Sequence, residues 1–307
     1  MDPTRIERRV LLALAAGVLG GACRSGRRAT DASALGDRLA ALEREGRLGV
    51  AVVDTGTGAV HGRRLDERFA MCSTFKLVLA AQVLQRAAEG GPALDAPLDF
   101  EAGDLVSHAP LTRALVEAAH ARGARRASAS RRALAHAAQT TSDNAATNVL
   151  LRDLGGPSAF TAYCRRHGDQ ATRLDRYEPE MSDVGPGDER DTTTPRAMAH
   201  LVARLLGPSG LPPAERALLR AWLLETQTGA ARVRAGLPPT WIAGDKTGTG
   251  GGTCTVKVND VVWIEPPGRA PLVVAAYYDT ATLAEWPSAA QEAVLADVGR
   301  AVAASRL

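Results

Sequence analysis

The sequence predicts a two-domain α+β fold: an antiparallel five-stranded sheet with flanking terminal helices, and an all-α domain inserted into it. Two observations indicate this arrangement. Short β-rich runs lie near both ends of the 307-residue chain, whereas helical patterns fill its middle. The economical topology joins both ends of the chain in one sheet, so the cleft between sheet and helical insertion is the natural place for a ligand.

Each element has a local reason. Three leucines at helical spacing fall on one face of 34–45, which predicts the first helix. The apolar stretch 75–88 continues without a breaker to Gly90-Gly91-Pro92 and predicts a buried helix. A closing helix is expected over 287–304. The five strands are expected at 48–54, 59–63, 241–247, 255–264 and 272–278, with glycine-containing turns at 55–58 and 248–252.

The domain boundaries follow from these elements. Residues 30–64 and 225–307 are expected to form the α/β domain, and residues 65–224 the all-α domain. Within the latter, a polar stretch over 172–195 is rich in Asp, Glu, Pro and Gly and is long for a loop. Long ordered loops in compact domains are usually functional.

The first 22 residues are typical of a signal peptide. Three arginines precede an apolar run over 10–19 that is too short to span a bilayer, and small residues follow it. The pair Arg8-Arg9 leaves twin-arginine export open, and Cys23 after small residues leaves a lipid anchor open. We expect an exported chain, secreted or periplasmic, without stable membrane insertion after processing.

Composition argues against several function classes. The formal net charge of +3 is too balanced for a nucleic-acid-binding surface, and the Arg-rich stretch 122–132 is expected to be solvated. The four cysteines contain no C-x-x-C pair and the six histidines no metal-binding spacing, so we expect no metal and no cofactor. Only three of 37 basic residues are lysines (Lys76, Lys246 and Lys257); unlike arginine, lysine can be tuned to release its proton.

Three short motifs carry candidate chemistry. Ser73-Thr74-Phe75-Lys76 begins the buried helix, where positions i and i+3 share a face, so the amine can activate the hydroxyl. Ser142-Asp143-Asn144 also has the composition of a helix N-cap. Lys246-Thr247-Gly248-Thr249 ends a predicted strand, whose edge, hydroxyls and ammonium group suit an anionic ligand. Each motif alone is more simply explained as structural, whereas the three in this order are far more specific.

In this order the motifs resemble the signature set of class A β-lactamases and penicillin-binding proteins. The segment Arg173-Leu174-Asp175-Arg176-Tyr177-Glu178-Pro179-Glu180, followed by 188–195, is similar to the omega loop of class A serine β-lactamases, here about 173–191. The resemblance covers roughly residues 34–305. It implies a monomeric hydrolase that opens a small-molecule β-lactam and thereby gives antibiotic resistance.

The resemblance implies a catalytic role for five residues. Ser73 would form an acyl-enzyme, with Lys76 as general base or proton relay. Ser142 would pass a proton to the lactam nitrogen, beside the positive charge of Lys246. Glu178 would activate the water that hydrolyses the ester. Whether Glu178 or Lys76 is the acylation base stays open.

The resemblance also implies binding roles. Backbone N–H groups of Ser73 and Thr249 would form the oxyanion hole, Asn144 would bind the substrate's side-chain amide, and His108 would line the entrance. Thr249 and Arg232 favour cephalosporins as well as penicillins, and carbapenem turnover is left open. The substrate carboxylate would meet Thr247, Gly248, Thr249 and Arg232.

Two pairings in and near the omega loop also follow from the resemblance. Arg176 and Asp191 should pair across the neck of the loop. The Glu178–Pro179 bond is often cis in relatives, and a bond before proline is where the cis form is least costly.

Several positions depart from the family pattern. Ser182 stands where relatives usually have the asparagine that helps to hold the deacylation water. The segment between Thr112 and Gln139 is longer than usual and rich in arginine, with an unknown effect on the edge of the cleft. His108 stands where many members have an aromatic residue.

The cysteines give a further hypothesis. Some carbapenem-hydrolysing members bond the cysteine before the nucleophile to one just after the K-T-G-T motif, where this chain has Gly250. We therefore hypothesise a disulfide between Cys72 and Cys254, which export would permit. Cys164 is expected to be a buried free thiol.

Three alternative functions stay open. A penicillin-binding D,D-peptidase shares the three motifs but does not require Glu178. A sensor or trap that is acylated and then stalls is kept open by Ser182. A carboxylesterase could use the Ser73–Lys76 pair, and would cleave simple esters but no lactam.

Overall fold

The computed structural model describes residues 34–43, 46–251, 255–280 and 288–305. The expected signal peptide, Cys23 and Cys254 lie outside these residues. The described strands are β1 (Gly46–Asp54), β2 (Val60–Arg63), β3 (Phe69–Ala70), β4 (Pro97–Glu101), β5 (Arg126–Ser130), β6 (Thr192–Thr193), β7 (Ile242–Gly251), β8 (Val256–Glu265) and β9 (Leu272–Thr280). The described α-helices are α1 (34–41), α2 (Phe75–Ala88), α3 (Pro110–Ala121), α4 (Arg131–Thr140), α5 (Asn144–Leu154), α6 (Gly156–Arg166), α7 (Pro195–Leu206), α8 (Pro213–Leu224) and α9 (Ala289–Ala303).

The main sheet joins the two ends of the chain, which confirms the predicted fold class. Its strand order is β2-β1-β9-β8-β7, and every neighbouring pair is antiparallel. The sheet is buried on both faces, with alternate residues on opposite sides. Val50 and Val52 pack in the core that contains residues of α1 and α9, whereas Ala51 and Val53 pack in the core that contains α2.

The middle segment is organised around α2. Ten consecutive residues of this helix, Phe75–Leu84, are buried, because α4, α5, α6 and α8 surround it. Ser73 lies just before this helix, in a single 3-10 turn over Cys72–Thr74. The nucleophile candidate is therefore held by a short turn between β3 and a fully packed helix.

The insertion predicted as an all-α domain is mainly helical, and it also contains two short antiparallel strand pairs. Strand β3 pairs with β6, and β4 pairs with β5, all within residues 65–224. Strand β5 lies in the Arg-rich insertion and has the sequence RASAS, of which only Ala127 is buried. Such a strand has almost no apolar pattern by which it could be predicted.

One expected turn also proved to be a strand. Residues 248–251 continue β7, paired with β8 as far as Gly251 opposite Val256. Glycine is unfavourable inside strands unless another chain segment approaches closely, and such an approach occurs here. Among the described residues, none of the helices is both long and apolar enough to cross a membrane.

Candidate active site

The three sequence motifs and the omega loop meet in one cleft of about 460 Å³. Lys76 and Lys246 lie beneath its surface and are fully buried. The cleft is lined by Ser73, Ser107, His108, Ser142, Asn144, Glu178, Pro179, Ser182, Asp183, Thr228, Arg232, Thr247, Thr249, Gly250 and Gly251.

The nucleophile turn has a constrained backbone. Cys72 adopts φ +44°, a region that non-glycine residues rarely occupy and that is found at functional sites. The turn leads directly into α2, and the Ser73 hydroxyl donates to Glu178 Oε1 at 3.2 Å. A hydroxyl that already donates to a carboxylate is well placed to give up its proton.

Lys76 is surrounded by oxygen acceptors. Its Nζ lies 3.0 Å from Glu178 Oε1 and donates to the Ser142 carbonyl at 3.0 Å. It also donates to the Ser142 hydroxyl at 3.4 Å and to Asn144 Oδ1. Burial lowers the pKa of Lys76, and the neighbouring Glu178 carboxylate opposes that shift.

The second motif serves both as a helix cap and as part of the cleft. Asp143 is the N-cap of α5, and its carboxylate accepts from Ala146 N at 2.8 Å. Ser142 on one side has φ +59°, and its hydroxyl accepts from Lys76 and from Lys246 Nζ at 3.1 Å. The N-cap explanation therefore holds for Asp143 and leaves the flanking side chains free for the cleft.

Lys246 is the second buried ammonium group. Besides Ser142 it donates to the Thr247 carbonyl at 2.8 Å. Burial, together with the positive charge of Lys76, lowers the pKa of Lys246 to about 7. Two buried lysines joined by one hydroxyl form a path along which a proton can move.

The omega loop presents Glu178 to the cleft. The Glu178–Pro179 bond is cis, and the Asn148 amide holds the backbone of Glu178 on both sides: Glu178 N donates to Asn148 Oδ1 at 3.0 Å, and Asn148 Nδ2 donates to the Glu178 carbonyl at 2.8 Å. Ser182 Oγ lies 3.4 Å from Glu178 Oε2. At the neck, Arg176 Nε donates to Asp191 Oδ2 at 2.5 Å.

A cationic corner lies at the other end of the cleft. Arg232 is 3% exposed, and its Nη2 donates to Thr249 Oγ1 at 2.7 Å while its Nη1 donates to the Gly248 carbonyl at 3.0 Å. The Thr228 hydroxyl is 2.6 Å from that of Thr247. A guanidinium next to threonine hydroxyls suits a carboxylate.

His108 also lines the cleft. It has φ +55°, and its Nε2 is 2.8 Å from the Thr141 carbonyl. Its own carbonyl accepts from Asn144 N at 2.9 Å. The backbone of His108 therefore helps to place Asn144, while its ring borders the opening.

Among the residues that sequence reasoning missed are Thr228, which lines the cleft, and Asn148, which lies outside the lining and holds the backbone of Glu178. Thr228 follows a helix in a segment without any motif, and no pattern marked it. Asn148 carried a usable signal, because the chain contains only three asparagines and a rare residue type within four positions of Asn144 could have been examined.

The cysteine hypotheses differ in outcome. Cys164 is a buried free thiol, as expected. Cys72 is also a buried free thiol, and its hypothetical partner Cys254 is outside the described residues. A Cβ atom added at Gly250 would lie 2.4 Å from Cys72 Sγ, so the position after the K-T-G-T motif directly faces this thiol. Within the described ranges, no cluster of three or more His, Cys, Asp or Glu side chains could hold a metal ion.

Comparisons with known proteins agree with this geometry. A family model described as the beta-lactamase enzyme family matches residues 34–305. The chain is 44% identical over 243 residues to Beta-lactamase CTX-M-8 of Citrobacter amalonaticus, covering 78% of this chain and 79% of the relative. It is 42% identical over 311 residues to Beta-lactamase AST-1 of Nocardia asteroides, covering 97% and 96%.

Solved structures give the same result. An ancestral (GNCA) class A β-lactamase matches with a TM-score of 0.80 and 48% identity, covering 87% of this chain and 98% of that one. A β-lactamase from Xanthomonas campestris pv. campestris matches with a TM-score of 0.80 and 42% identity, covering 89% and 97%. The chain therefore belongs to the beta-lactamase enzyme family and, within it, to the class A serine β-lactamases.

Proposed function

We propose that this β-lactamase hydrolyses penicillins and cephalosporins through an acyl-enzyme on Ser73, which a water activated by Glu178 then cleaves. The observation that carries the proposal is the position of the Glu178 carboxylate. One of its oxygens accepts from Ser73 Oγ at 3.2 Å, and the other lies 3.4 Å from Ser182 Oγ on the open side of the cleft. A single carboxylate can thus serve both half-reactions.

Acylation begins with Ser73. As its oxygen attacks the lactam carbonyl, its proton passes to Glu178, and the carbonyl oxygen gains negative charge opposite the N–H groups of Ser73 and Thr249. When the lactam C–N bond breaks, the nitrogen takes a proton from Ser142. The buried lysines that donate to Ser142 return a proton to it. Glu178 then gives the proton it took from Ser73 to Lys76, 3.0 Å away, so that its carboxylate is ionised again before deacylation.

The contacts of Lys76 support Glu178 rather than Lys76 as the acylation base. The Lys76 nitrogen faces Glu178, the Ser142 carbonyl and the Asn144 amide oxygen, all of which accept hydrogen bonds. The three N–H donors of an ammonium group can meet these three acceptors, while the Ser142 hydroxyl at 3.4 Å is a fourth and longer contact. A protonated Lys76 would hold Glu178 in place and stabilise the negative charge that develops during attack.

Deacylation uses the same carboxylate. A water between Glu178 and Ser182 gives its proton to Glu178 while its oxygen attacks the ester carbon, and the ester bond to Ser73 Oγ breaks as that oxygen regains a proton. A general base typically contributes about 10²–10⁴ in rate. Ser182 is the residue on which the efficiency of this step depends.

The remaining parts of the proposal concern binding and location. Arg232, Thr247 and Thr249 bind the substrate carboxylate, and Asn144 binds its side-chain amide. Residues 1–22 direct export, so the mature chain acts as a monomer outside the cytoplasmic membrane, secreted or periplasmic. Residues 65–224, with the omega loop, are the helical unit inserted into the α/β unit formed by 30–64 and 225–307.

The test is a stopped-flow measurement with a chromogenic cephalosporin and the mature protein, first in excess and then limiting, repeated with Glu178→Gln. We expect many turnovers per molecule for the unchanged protein. For Glu178→Gln we expect both half-reactions to slow, because the proposed base of each is lost, and turnover to fall about 10²–10⁴-fold. Mass spectrometry should place the adduct that accumulates slowly on the peptide that contains Ser73.

Each alternative has its own outcome. A single burst in the unchanged protein would assign it to the slow-deacylating traps or D,D-peptidases. Cleavage of simple esters without any lactam turnover would indicate a carboxylesterase. Wild-type turnover by Glu178→Gln would refute the role given to Glu178.

A further inference from the structure

Asn259 is a buried amide in the middle of β8, outside the lining of the substrate cleft. It is 1% exposed and pairs with Gly248 of the third motif across the β7–β8 ladder. Its Oδ1 accepts from Tyr278 N at 3.4 Å, which orients the amide so that its NH₂ group points away from β9.

That NH₂ group holds the residues immediately before the nucleophile. Asn259 Nδ2 donates to the Ala70 carbonyl at 2.9 Å and to the Met71 carbonyl at 3.3 Å. The Met71 carbonyl also accepts from Thr74 Oγ1 at 2.8 Å. Asn259 therefore holds the start of the nucleophile turn by hydrogen bonds. In this turn Cys72 has its unfavourable φ, and Ser73 follows it.

The glycine opposite Asn259 makes this contact possible. Directly paired residues in an antiparallel ladder present their side chains on the same face. A Cβ atom added at Gly248 would lie 2.7 Å from the Met71 carbonyl oxygen and 3.0 Å from Thr74 Cγ2. The turn thus lies directly against β7, and the amide of Asn259 reaches it past the missing side chain.

The main chain of Asn259 is hydrogen-bonded to Arg232, one of the residues proposed to bind the substrate carboxylate. Its carbonyl accepts from Arg232 Nη1 at 2.8 Å, and Arg232 Nη2 donates to Thr249 Oγ1. One residue is therefore bonded to the nucleophile turn through its side chain and to the residue that borders Thr249 through its main chain.

This arrangement bears on the oxyanion hole, whose two donors come from separate segments. Ser73 N belongs to the turn and Thr249 N to β7, so their separation depends on how the turn sits against the strand. We propose that Asn259 is a positioning residue that sets the spacing of the oxyanion hole in acylation. The inference rests on the proposed function, because it requires an acyl-enzyme on Ser73.

The test compares Asn259→Ala and Asn259→Ser, each made alone and in the Glu178→Gln background. Gln82→Ala is the matched control, since Gln82 is also a buried amide and donates to a main-chain carbonyl, that of Ala159, at 3.4 Å away from the cleft. Acylation rates are measured by stopped flow. The ester carbonyl stretch of the trapped acyl-enzyme is measured by infrared difference spectroscopy with a carbonyl-labelled substrate.

Removing an oxyanion donor outright costs about 10²–10³ in rate, so displacing one should slow acylation by about 10–100-fold in Asn259→Ala, with little change in KM. The ester band should move to higher wavenumber and broaden, because its hydrogen bonds lengthen. Asn259→Ser keeps one donor and should lie between. If Asn259→Ala does not fold, Asn259→Ser carries the same comparison.

Gln82→Ala should lower thermal stability while leaving the band and the acylation rate unchanged. If the Asn259 variants behave in the same way as this control, Asn259 is a structural residue only and the inference is overturned. If the unchanged protein neither turns over the chromogenic cephalosporin nor forms an adduct on Ser73, the proposed function fails, and that result is distinguishable because it appears before any change at Asn259.

Discussion

Removal of the Arg176 side chain tests whether the neck of the omega loop holds Glu178 in place. Asp191 is fully buried, and its carboxylate accepts from Asp175 N at 2.7 Å, from Arg176 N at 3.0 Å and from Arg176 Nε at 2.5 Å. Its main-chain carbonyl accepts from Met71 N at 3.0 Å. Arg176→Ala would leave this carboxylate with two backbone donors and no counter-charge.

The expected magnitude follows from burial. Breaking a buried ion pair by removing one partner costs about 3–5 kcal/mol, but the Arg176 side chain is 22% exposed, so water screens part of the loss. We expect about 2–3 kcal/mol. For a chain of this size that corresponds to a fall in Tm of about 4–12 °C.

A matched control lies in the same loop. Arg173 pairs with Asp175 at 2.6 Å, but the two side chains are 39% and 25% exposed, and such surface pairs contribute about 0–1 kcal/mol. Arg173→Ala should therefore shift Tm by no more than about 4 °C. Calorimetry measures both variants, and hydrogen exchange across residues 173–191 reports where the structure opens.

The kinetic consequence should be selective. Because Glu178 is two residues from Arg176 and serves both half-reactions, loosening the neck should slow both. Deacylation should slow more, since it also requires a water held between Glu178 and Ser182, and acyl-enzyme should accumulate in the steady state. Equal shifts in Tm for the two variants, together with unchanged exchange over the loop, would refute the view that the Arg176–Asp191 pair holds the omega loop.

Three further predictions concern Lys246, Arg232 and Cys72, which lie in or next to the cleft. With a pKa of about 7, Lys246 loses its charge as pH rises, from about nine-tenths protonated at pH 6 to about one-tenth at pH 8, so kcat/KM should fall about tenfold over that range. Lys246→Arg keeps its proton and should flatten this pH profile; an unchanged profile in Lys246→Arg would contradict the assignment to Lys246. Arg232→Ala removes a charged hydrogen-bond donor worth about 1.5–3 kcal/mol, so kcat/KM should fall about 10–150-fold for a carboxylate substrate and much less for its methyl ester; equal losses would contradict the carboxylate role. Burial raises the pKa of the Cys72 thiol to about 12, so iodoacetamide at pH 8 should label Cys72 only after denaturation; a non-reduced digest without a linked Cys72–Cys254 peptide would dismiss the disulfide.

Much of the fold could be predicted because its strands are apolar or bounded by turn residues. Strands β1, β8 and β9 have long buried runs, and α2 has no breaker within it. Strand β5 could not be predicted, since its residues are polar or small and its pairing with β4 comes from the surrounding chain. The end of β7 was mistaken for a turn because its glycines serve the close approach of the nucleophile turn, which is a tertiary contact.

The site shows a similar division. The motif residues could be placed in one cleft because their order matched a known set, but the backbone at Cys72, His108 and Ser142 could not be anticipated. All three have positive φ without being glycine, and local sequence preferences argue against that conformation. Tertiary contacts hold these backbones, and such contacts leave no mark on the sequence nearby.

Rare residue types indicated catalytic residues better than any single motif did. The lysines show both why this signal works and where it fails. Lys76 and Lys246 are buried among acceptors in a chain whose basic residues are arginines apart from these two and Lys257, and arginine, unlike lysine, does not release its proton. Lys257 belongs to the same rare residue type and is also buried, yet it donates to Thr255 Oγ1 and lies outside the cleft lining. A rare residue type therefore indicates a position where replacement is chemically difficult. Only the neighbouring residues show whether that position takes part in catalysis.

The asparagines extend this argument. All three in the chain belong to the same machinery: Asn144 accepts from Lys76, Asn148 holds the backbone of Glu178, and Asn259 holds the turn before Ser73. Each uses its donor and its acceptor at once, which a carboxylate or an aliphatic side chain cannot do. A planar group with both functions is what a site needs where the nucleophile and Lys76 come from one segment and the base from another, and the segments must be held together without added charge.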